Sequence, residues 1–343
     1  MKLYEIVLKP RGPFGTLIKG DTLFGHFCWQ ARYDGSLLRG GLDHWIERYP
    51  EQPFAIFSSA WPRIPADEPC YALKRPDVPM QWLFPTKGDR ATIIRDRKKN
   101  AARKWLIVAN DLFIDLNERN IVDEKELARL SGQEWSIEVR RAMRGKEKPQ
   151  VAIHLTQPHN TIDRRTMTTG TGMFAPYVMP VTFFSPGMEW AVFVLIDEAA
   201  SDMDRIRTGL ERIGRLGFGR DASAGLGRFD IDKVEEKPYV AAPGANALYA
   251  MAPSVPERHA YRDCLFSPFT RFGKHGDFLA TSANPFKSPV IMADEGAVFI
   301  PEDKDALRKP YIGRAVQGIS KCEPRAVAQG YAPVIPFKLE NMP

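Results

Sequence analysis

Apolar and polar positions alternate along Lys2-Leu-Tyr-Glu-Ile-Val-Leu-Lys9, which predicts a half-buried strand over residues 2–9. The period then changes from two to that of a helix. Leu23, Phe24, Phe27, Cys28 and Ala31 fall on one face of a helix predicted from Thr22 to about Tyr33, with Asp21 as its N-cap. A short apolar run from Phe54 to Ser59 reads as the next strand. The same succession returns far along the chain. Trp190-Ala-Val-Phe-Val-Leu-Ile196 is a buried strand, and Ser201-Asp-Met-Asp starts a helix in which Met203, Ile206, Leu210 and Ile213 recur at helical spacing. Leu226 to Val234 then reads as a further strand.

Two strand–helix–strand halves are the pattern of an α+β, ferredoxin-like unit with a long insertion between them. The insertion begins in a proline-rich stretch, Trp61 to Pro85, and turns basic. Lys87, Arg90, Arg95, Arg97, Lys98, Lys99, Arg103 and Lys104 stand against only Asp89 and Asp96. A second cluster follows at Arg140, Arg141, Arg144, Lys146 and Lys148. The expectation is a loop-rich excursion over 61–150 that, with the polar segment after it, reaches to about 185. Gly, Pro and Ala dominate from Pro238 to Pro256 and read as a linker. Beyond it, short apolar runs at Pro289 to Met292 and Ala297 to Ile300, with no long helix, predict a smaller β-rich unit. The expected domains are therefore 1–240 and 245–343.

Composition narrows the class. A chain of 343 residues, 44% hydrophobic and 26% charged, is an ordinary globular protein. No run approaches the roughly 18 apolar residues of a membrane span, and the N-terminus has no signal-peptide core, so a cytoplasmic protein is expected. Cys28, Cys70, Cys264 and Cys322 form no C-x-x-C pair, which removes the usual sequence argument for zinc, iron–sulfur or redox chemistry. A net charge of +6 favours a polyanionic partner.

Candidate chemistry concentrates between the second helix and the last strand of the first unit, in Gly214-Arg-Leu-Gly-Phe-Gly-Arg-Asp-Ala-Ser-Ala-Gly-Leu-Gly-Arg228. Glycines at 214, 217, 219, 225 and 227 allow positive φ and close approach of a ligand, so that main-chain N–H groups could cradle an anion. Arg215, Arg220 and Arg228 add charge and Ser223 adds a hydroxyl. A helix C-cap followed by a β-bulge would use the same glycines. A dinucleotide fingerprint or P-loop is excluded by order, since either would follow a strand and open a helix. The second segment is His159-Asn-Thr-Ile-Asp-Arg-Arg-Thr-Met-Thr-Thr-Gly-Thr-Gly-Met-Phe174. Its Asn160, Arg164, Arg165 and Thr166 suit sugar–phosphate and base edges, and Met167 and Phe174 could wedge against unpaired bases. A polar hairpin with Asn160 and Asp163 capping turns would look the same.

These segments carry a family resemblance. A glycine-rich loop at that position is what the RAMP proteins of CRISPR systems have, and Asn160-Thr-Ile162-Asp163-Arg164-Arg-Thr-Met167 resembles the Asn-x-Ile-Asp-Arg-x-Thr-Gly signature of one RAMP subgroup. Lys19-Gly-Asp-Thr-Leu-Phe-Gly is similar to the start of that subgroup's first helix, and Pro285-Phe-Lys-Ser-Pro and Gly330-Tyr-Ala-Pro-Val-Ile-Pro-Phe-Lys-Leu339 to its later strands. The chain thus resembles the subunits that cap the 5′ handle of the guide RNA (crRNA) in type III-A CRISPR effectors. The resemblance implies two ferredoxin-like (RRM-like) domains, no cofactor, and contact with the large polymerase-like subunit and the backbone RAMP subunit, with target RNA nearby. It implies RNA contacts by the residues of both segments, His159 and Asp163 included, and by Lys19, Lys98, Lys99, Arg103 and Lys104.

No catalytic residue is expected on this reading. Some relatives cut precursor RNA by metal-free acid–base chemistry, and among His26, His44, His154, His159, His259 and His275 the pair His26 and His159 is the candidate for it. A third alternative is an assembly scaffold whose basic face is only solvated.

Overall fold

The computed structural model describes residues 1–85, 89–132 and 150–340. Its first sheet has seven strands in the order β5-β4-β3-β2-β8-β1-β9, made by β1 (Lys2–Pro10), β2 (Ala55–Ile64), β3 (Cys70–Lys74), β4 (Arg103–Val108), β5 (Ile121–Asp123), β8 (Glu189–Ile196) and β9 (Phe229–Lys237). The remaining members of the first half, β6 (Ala152–His159) and β7 (Tyr177–Phe184), form a separate ribbon. Four adjacent strands, β2-β8-β1-β9, are antiparallel throughout, and helices α1 (Gly20–Tyr33) and α6 (Met203–Leu216) lie in the two crossovers. Shorter helices are α2 (Gly41–Arg48), α3 (Met80–Leu83), α4 (Arg90–Ala101) and α5 (Glu124–Leu130). Leu23, Phe24, Phe27 and Ala31 of α1 and Ile206, Leu210 and Ile213 of α6 are buried, so the apolar faces read from their spacing cover the sheet.

The second sheet comprises β10 (Ala247–Ala250), β11 (Tyr261–Leu265), β14 (Val298–Pro301), β15 (Tyr311–Gly313) and β16 (Tyr331–Phe337), ordered β11-β14-β10-β16-β15. Numbering its four main strands in chain order gives second–third–first–fourth, the order of β2-β8-β1-β9 in the first sheet. The connection from β14 to β16 holds a short 3₁₀ turn (Lys304–Arg308) where the first unit has α6, and the one from β10 to β11 has no helix where the first unit has α1. A ribbon of β12 (Pro268–Arg271) and β13 (Val290–Ala293) stands beside it. One hydrophobic core runs through both sheets, from Phe54 and Phe57 to Tyr249, Val298, Ile335 and Phe337. Tyr249 donates from its hydroxyl to the Lys74 carbonyl (2.8 Å), and the Ser59 N–H to the Met251 carbonyl (3.0 Å), so the sheets share hydrogen bonds as well.

The fold corrects four sequence expectations. Among the described residues, the segment 61–132 is not loop-rich: β2 continues to Ile64, and β3, β4 and β5 extend the sheet, burying Tyr71, Ala72, Leu73, Leu106 and Ile121. The stretch taken for a linker holds β10, all four residues of which are buried at the centre of the second sheet. Asp21 is not the cap of α1; Lys19 occupies that position without a side-chain cap, and the Asp21 carboxylate is bound instead by Arg271. The strand expected at Leu226 starts at Phe229. Lys87 and the cluster Arg140, Arg141, Arg144, Lys146 and Lys148 lie outside the described residues. Among the described residues no helix is long and apolar enough to cross a membrane.

Candidate nucleic-acid interface

Helix α6 ends at Leu216, and Gly217 (φ +112°) turns the chain out of it. The loop that follows is built by backbone packed on backbone. A Cβ on Gly214 or Gly227 would lie 2.1 Å from the carbonyl oxygen of Phe229 or Phe218, and one on Gly219 would lie 2.7 Å from Cβ of Thr16. The amides are engaged as well. The N–H groups of Gly217, Phe218, Gly225, Leu226 and Gly227 donate to the carbonyls of Ile213, Gly227, Ala222, Asp221 and Pro13, and that of Arg220 to Oγ1 of Thr16. The expected main-chain cradle is therefore corrected: glycine here permits close packing inside the protein, and these amides already have acceptors. What the loop offers outward is side chains, with Arg215, Ser223 and Arg228 exposed and Arg220 half-buried.

Helix α1 locks the loop in place. Nε2 of His26 accepts the Gly219 N–H at 3.0 Å, and its ring lies 4.9 Å from that of Phe218. Burial lowers the His26 pKa to about 4, so the imidazole is neutral and its acceptor nitrogen is already committed. His159 sits elsewhere, stacked on Tyr177 at 5.4 Å at the end of the β6–β7 ribbon.

That ribbon runs in register from Ala152 opposite Phe184 to His159 opposite Tyr177. At its tip Asp163 accepts the N–H groups of Arg165 (2.9 Å, side chain) and Met167 (2.7 Å, backbone), which holds Met167 at φ +60° with its side chain 75% exposed. Asn160, Ile162, Arg164, Arg165 and Thr166 are exposed around it, while Phe174 is half-buried. Asp163 is thus a turn-former rather than a partner for a polyanion. The ribbon joins the rest of the protein through paired backbone bonds of Phe14 and Thr182 (2.8 Å each) and through Arg220, whose guanidinium donates to the Pro180 carbonyl. The glycine loop and the ribbon that carries the second motif meet at this arginine.

Other expected contacts separate from this site. Lys19 is corrected to a structural role: its ammonium is 2.5 Å from Asp294 and 2.7 Å from Glu295, with its side chain 14% exposed. Arg103 is likewise turned inward, donating to the carbonyls of Ile121 (2.6 Å) and Glu118 and lying over the Phe84 ring. Lys98 and Lys99 on α4 and Lys104 on β4 are exposed, but they belong to the extension of the sheet.

Beside the glycine loop opens a cleft of about 490 Å³ between the two sheets' units. Thr16, Asp21, His26, Gly219 and Arg220 line one wall, and Arg271, Phe272, Lys274, His275 and Lys287 the other. Arg271 pairs with both oxygens of Asp21 and lies over Phe269 at 4.8 Å, which fixes the far wall to α1. Burial lowers the pKa of Lys287. Sequence reasoning missed this wall, although basic residues interleaved with aromatics in Arg271-Phe-Gly-Lys-His275 and Pro285-Phe-Lys287 were the signal for it.

A mixed α/β unit and a β-rich unit with one strand order, a glycine-rich loop beside a cationic cleft, and a polar ribbon joined to that loop define the architectural class. No family model and no curated relative matches the chain. Solved structures do. A chain of a Csm1–Csm4 cassette in complex with pppApA aligns over 100% of both chains with a TM-score of 0.54 at 14% identity. A chain of the Csm3–Csm4 subcomplex of a type III-A CRISPR–Cas interference complex aligns over 98% of this chain and 100% of its own, with a TM-score of 0.54 at 13% identity. Csm4 is the subunit that both assemblies contain, and this chain has that fold.

Proposed function

We propose that the chain is a non-catalytic, Csm4-like RAMP subunit of a type III CRISPR ribonucleoprotein, binding the 5′ handle of the guide RNA in the cytoplasm and anchoring the large polymerase-like subunit beside the backbone RAMP subunit. The observation that carries this is the meeting of ribbon and glycine loop at Arg220, which also lines the cationic cleft, with Arg164 and Arg165 exposed on the ribbon and Arg215 and Arg228 exposed on the loop. The repeated strand order supports two ferredoxin-like units, 1–240 and 245–343, set around that cleft. Guanidinium groups on fixed backbone suit phosphates, while Met167 and Ile162 offer apolar contact to unstacked bases. The engaged acceptor nitrogen of His26 weighs against acid–base cleavage.

The test is purification of the chain with its RNA, followed by sequencing and crosslink mapping. A common 5′ end on the bound RNAs, crosslinked to the ribbon tip and residues 215–228, is the expected result. Log affinity should fall with log salt by roughly 0.7 per phosphate contact. RNA of unrelated ends, or crosslinks confined to other surfaces, would overturn the reading.

A further inference from the structure

The far wall of the cleft is a two-faced ribbon. Lys274 and Phe286 form an isolated antiparallel bridge, flanked by bonds from His275 N–H to the Pro285 carbonyl and from Lys287 N–H to the Gly273 carbonyl, both 2.8 Å. In this arrangement Lys274 and Phe286 are a non-hydrogen-bonded pair with both side chains on one face, while Gly273, His275 and Lys287 belong to the other.

The second face is packed. His275 is 6% exposed and bonds Oγ of Ser320 at 2.8 Å, and a Cβ on Gly273 would meet the Lys287 stem at 3.2 Å; just past the bridge, one on Gly276 would meet the Trp29 indole of α1 at 3.3 Å. That face rests on α1. The first face is left to solvent, with Phe286 69% exposed, and Phe272, two residues before Lys274 and bordering the cleft with it, is 77% exposed. Lys274 lies over the Phe286 ring at 5.5 Å.

We infer that Phe272, Lys274 and Phe286 form a stacking platform for unpaired bases of the RNA strand whose phosphates the cleft holds, an inference that rests on the RNA-binding reading above. Two large aromatic rings on a ribbon braced from behind lose little freedom when a ligand ring settles on them, and each base face can stack irrespective of its identity. Charge decides the occupant. The apolar rings are interleaved with Lys274, and Phe272 and Lys274 border the cleft that Arg220 and Arg271 line, which favours a chain that alternates planar rings with anions over an uncharged protein surface. The platform also explains why the ribbon's hydrophobic residues face outward while its histidine and second lysine face in.

The experiment uses the full-length chain, an unstructured RNA oligonucleotide carrying 2-aminopurine, and the variants Phe272→Ala with Phe286→Ala and Phe272→Trp. The alanine pair should bind at least about tenfold more weakly, with the 2-aminopurine emission released from quenching and the salt slope unchanged, because stacking is removed and phosphate contacts are kept. The tryptophan variant should bind as tightly as the parent or more so. Both aromatic side chains are exposed, so equal urea midpoints for all three proteins serve as the folding control. Parental affinity and quenching in the alanine pair would overturn the platform while leaving the RNA-binding reading intact, as would loss of a protein partner with RNA affinity unchanged. A shallower salt slope in that pair would also overturn it, because the rings would then be holding the cations. Absence of RNA binding by the parent chain would overturn the RNA-binding reading itself.

Discussion

The side-chain amide of Gln329 bonds the backbone of Phe57 on both sides, its Oε1 accepting the Phe57 N–H at 2.9 Å and its Nε2 donating to the Phe57 carbonyl at 2.8 Å. Both residues are fully buried. β3 pairs with β2 only at Arg63 and Ile64, so the earlier part of that edge has no strand beside it, and one glutamine does a strand's work. Gln329→Ala leaves a buried donor and a buried acceptor unpaired and is expected to lower stability by about 2–4 kcal/mol. The urea midpoint reads it, and a midpoint equal to the parent's would show that water takes the glutamine's place.

The bond from Gly219 to His26 gives stability an acid dependence. Burial holds the His26 pKa near 4, below its unfolded value of about 6.5, so only the unfolded chain gains the proton between those limits. Stability contributed by this site is constant above pH 6.5 or so and falls as the pH drops toward 4, by about 3 kcal/mol in full. His26→Ala should flatten that part of the profile while lowering stability at neutral pH. Urea unfolding followed across the pH range measures both.

Lys19 tests whether a conspicuous cation touches RNA or holds the protein together. Burial raises the pKa of its partner Glu295, while at Asp294 the effect of burial is outweighed by Lys19 together with Glu295 and Lys74, so that its pKa is lowered. Lys19→Met leaves Glu295 without its cation and Asp294 with only Lys74 at 3.7 Å, and should destabilise the chain by about 3 kcal/mol. RNA affinity per folded molecule should stay at the parent's value. A steep loss of affinity without loss of stability would return Lys19 to the interface.

Two glycines of one loop should answer differently to the same methyl group. Gly227→Ala brings a Cβ against the Phe218 carbonyl at φ +74° and should cost about 3 kcal/mol or more, with RNA affinity falling as the loop shifts. At Gly225, φ +94°, nothing lies within 4 Å of the added carbon, and Gly225→Ala should cost about 1 kcal/mol of backbone strain. Thermal melts and filter binding of the two variants separate these outcomes.

Sequence patterns revealed elements whose signal is local. β1, β8, α1 and α6 were legible because their apolar residues recur at a fixed period over one element. β10 was not, since four residues among alanine, proline and glycine show no period and are buried by strands that come fifty or more positions later. The same holds for charge. Lys19 and Arg103 looked like the free cations of a basic surface because the carboxylates of Asp294 and Glu295, and the carbonyls of Glu118 and Ile121, reach them only through the fold. The glycine loop was found by composition, but whether its amides face a ligand or the protein depends on Thr16, Pro13 and His26, which precede it by some two hundred residues.

The placement of β16 sets an order on biosynthesis. It fills the gap between β10 and β15 and rests on β2, where Tyr331 also reaches the Pro50 carbonyl at 2.6 Å. A polypeptide leaving the ribosome can bring β1, β2, β8 and β9 together long before residues 331–337 emerge, yet until then the flank of β2 and the heart of the second sheet stay wet. Folding is therefore completed late in translation, and a nascent chain has no finished cleft to offer an RNA.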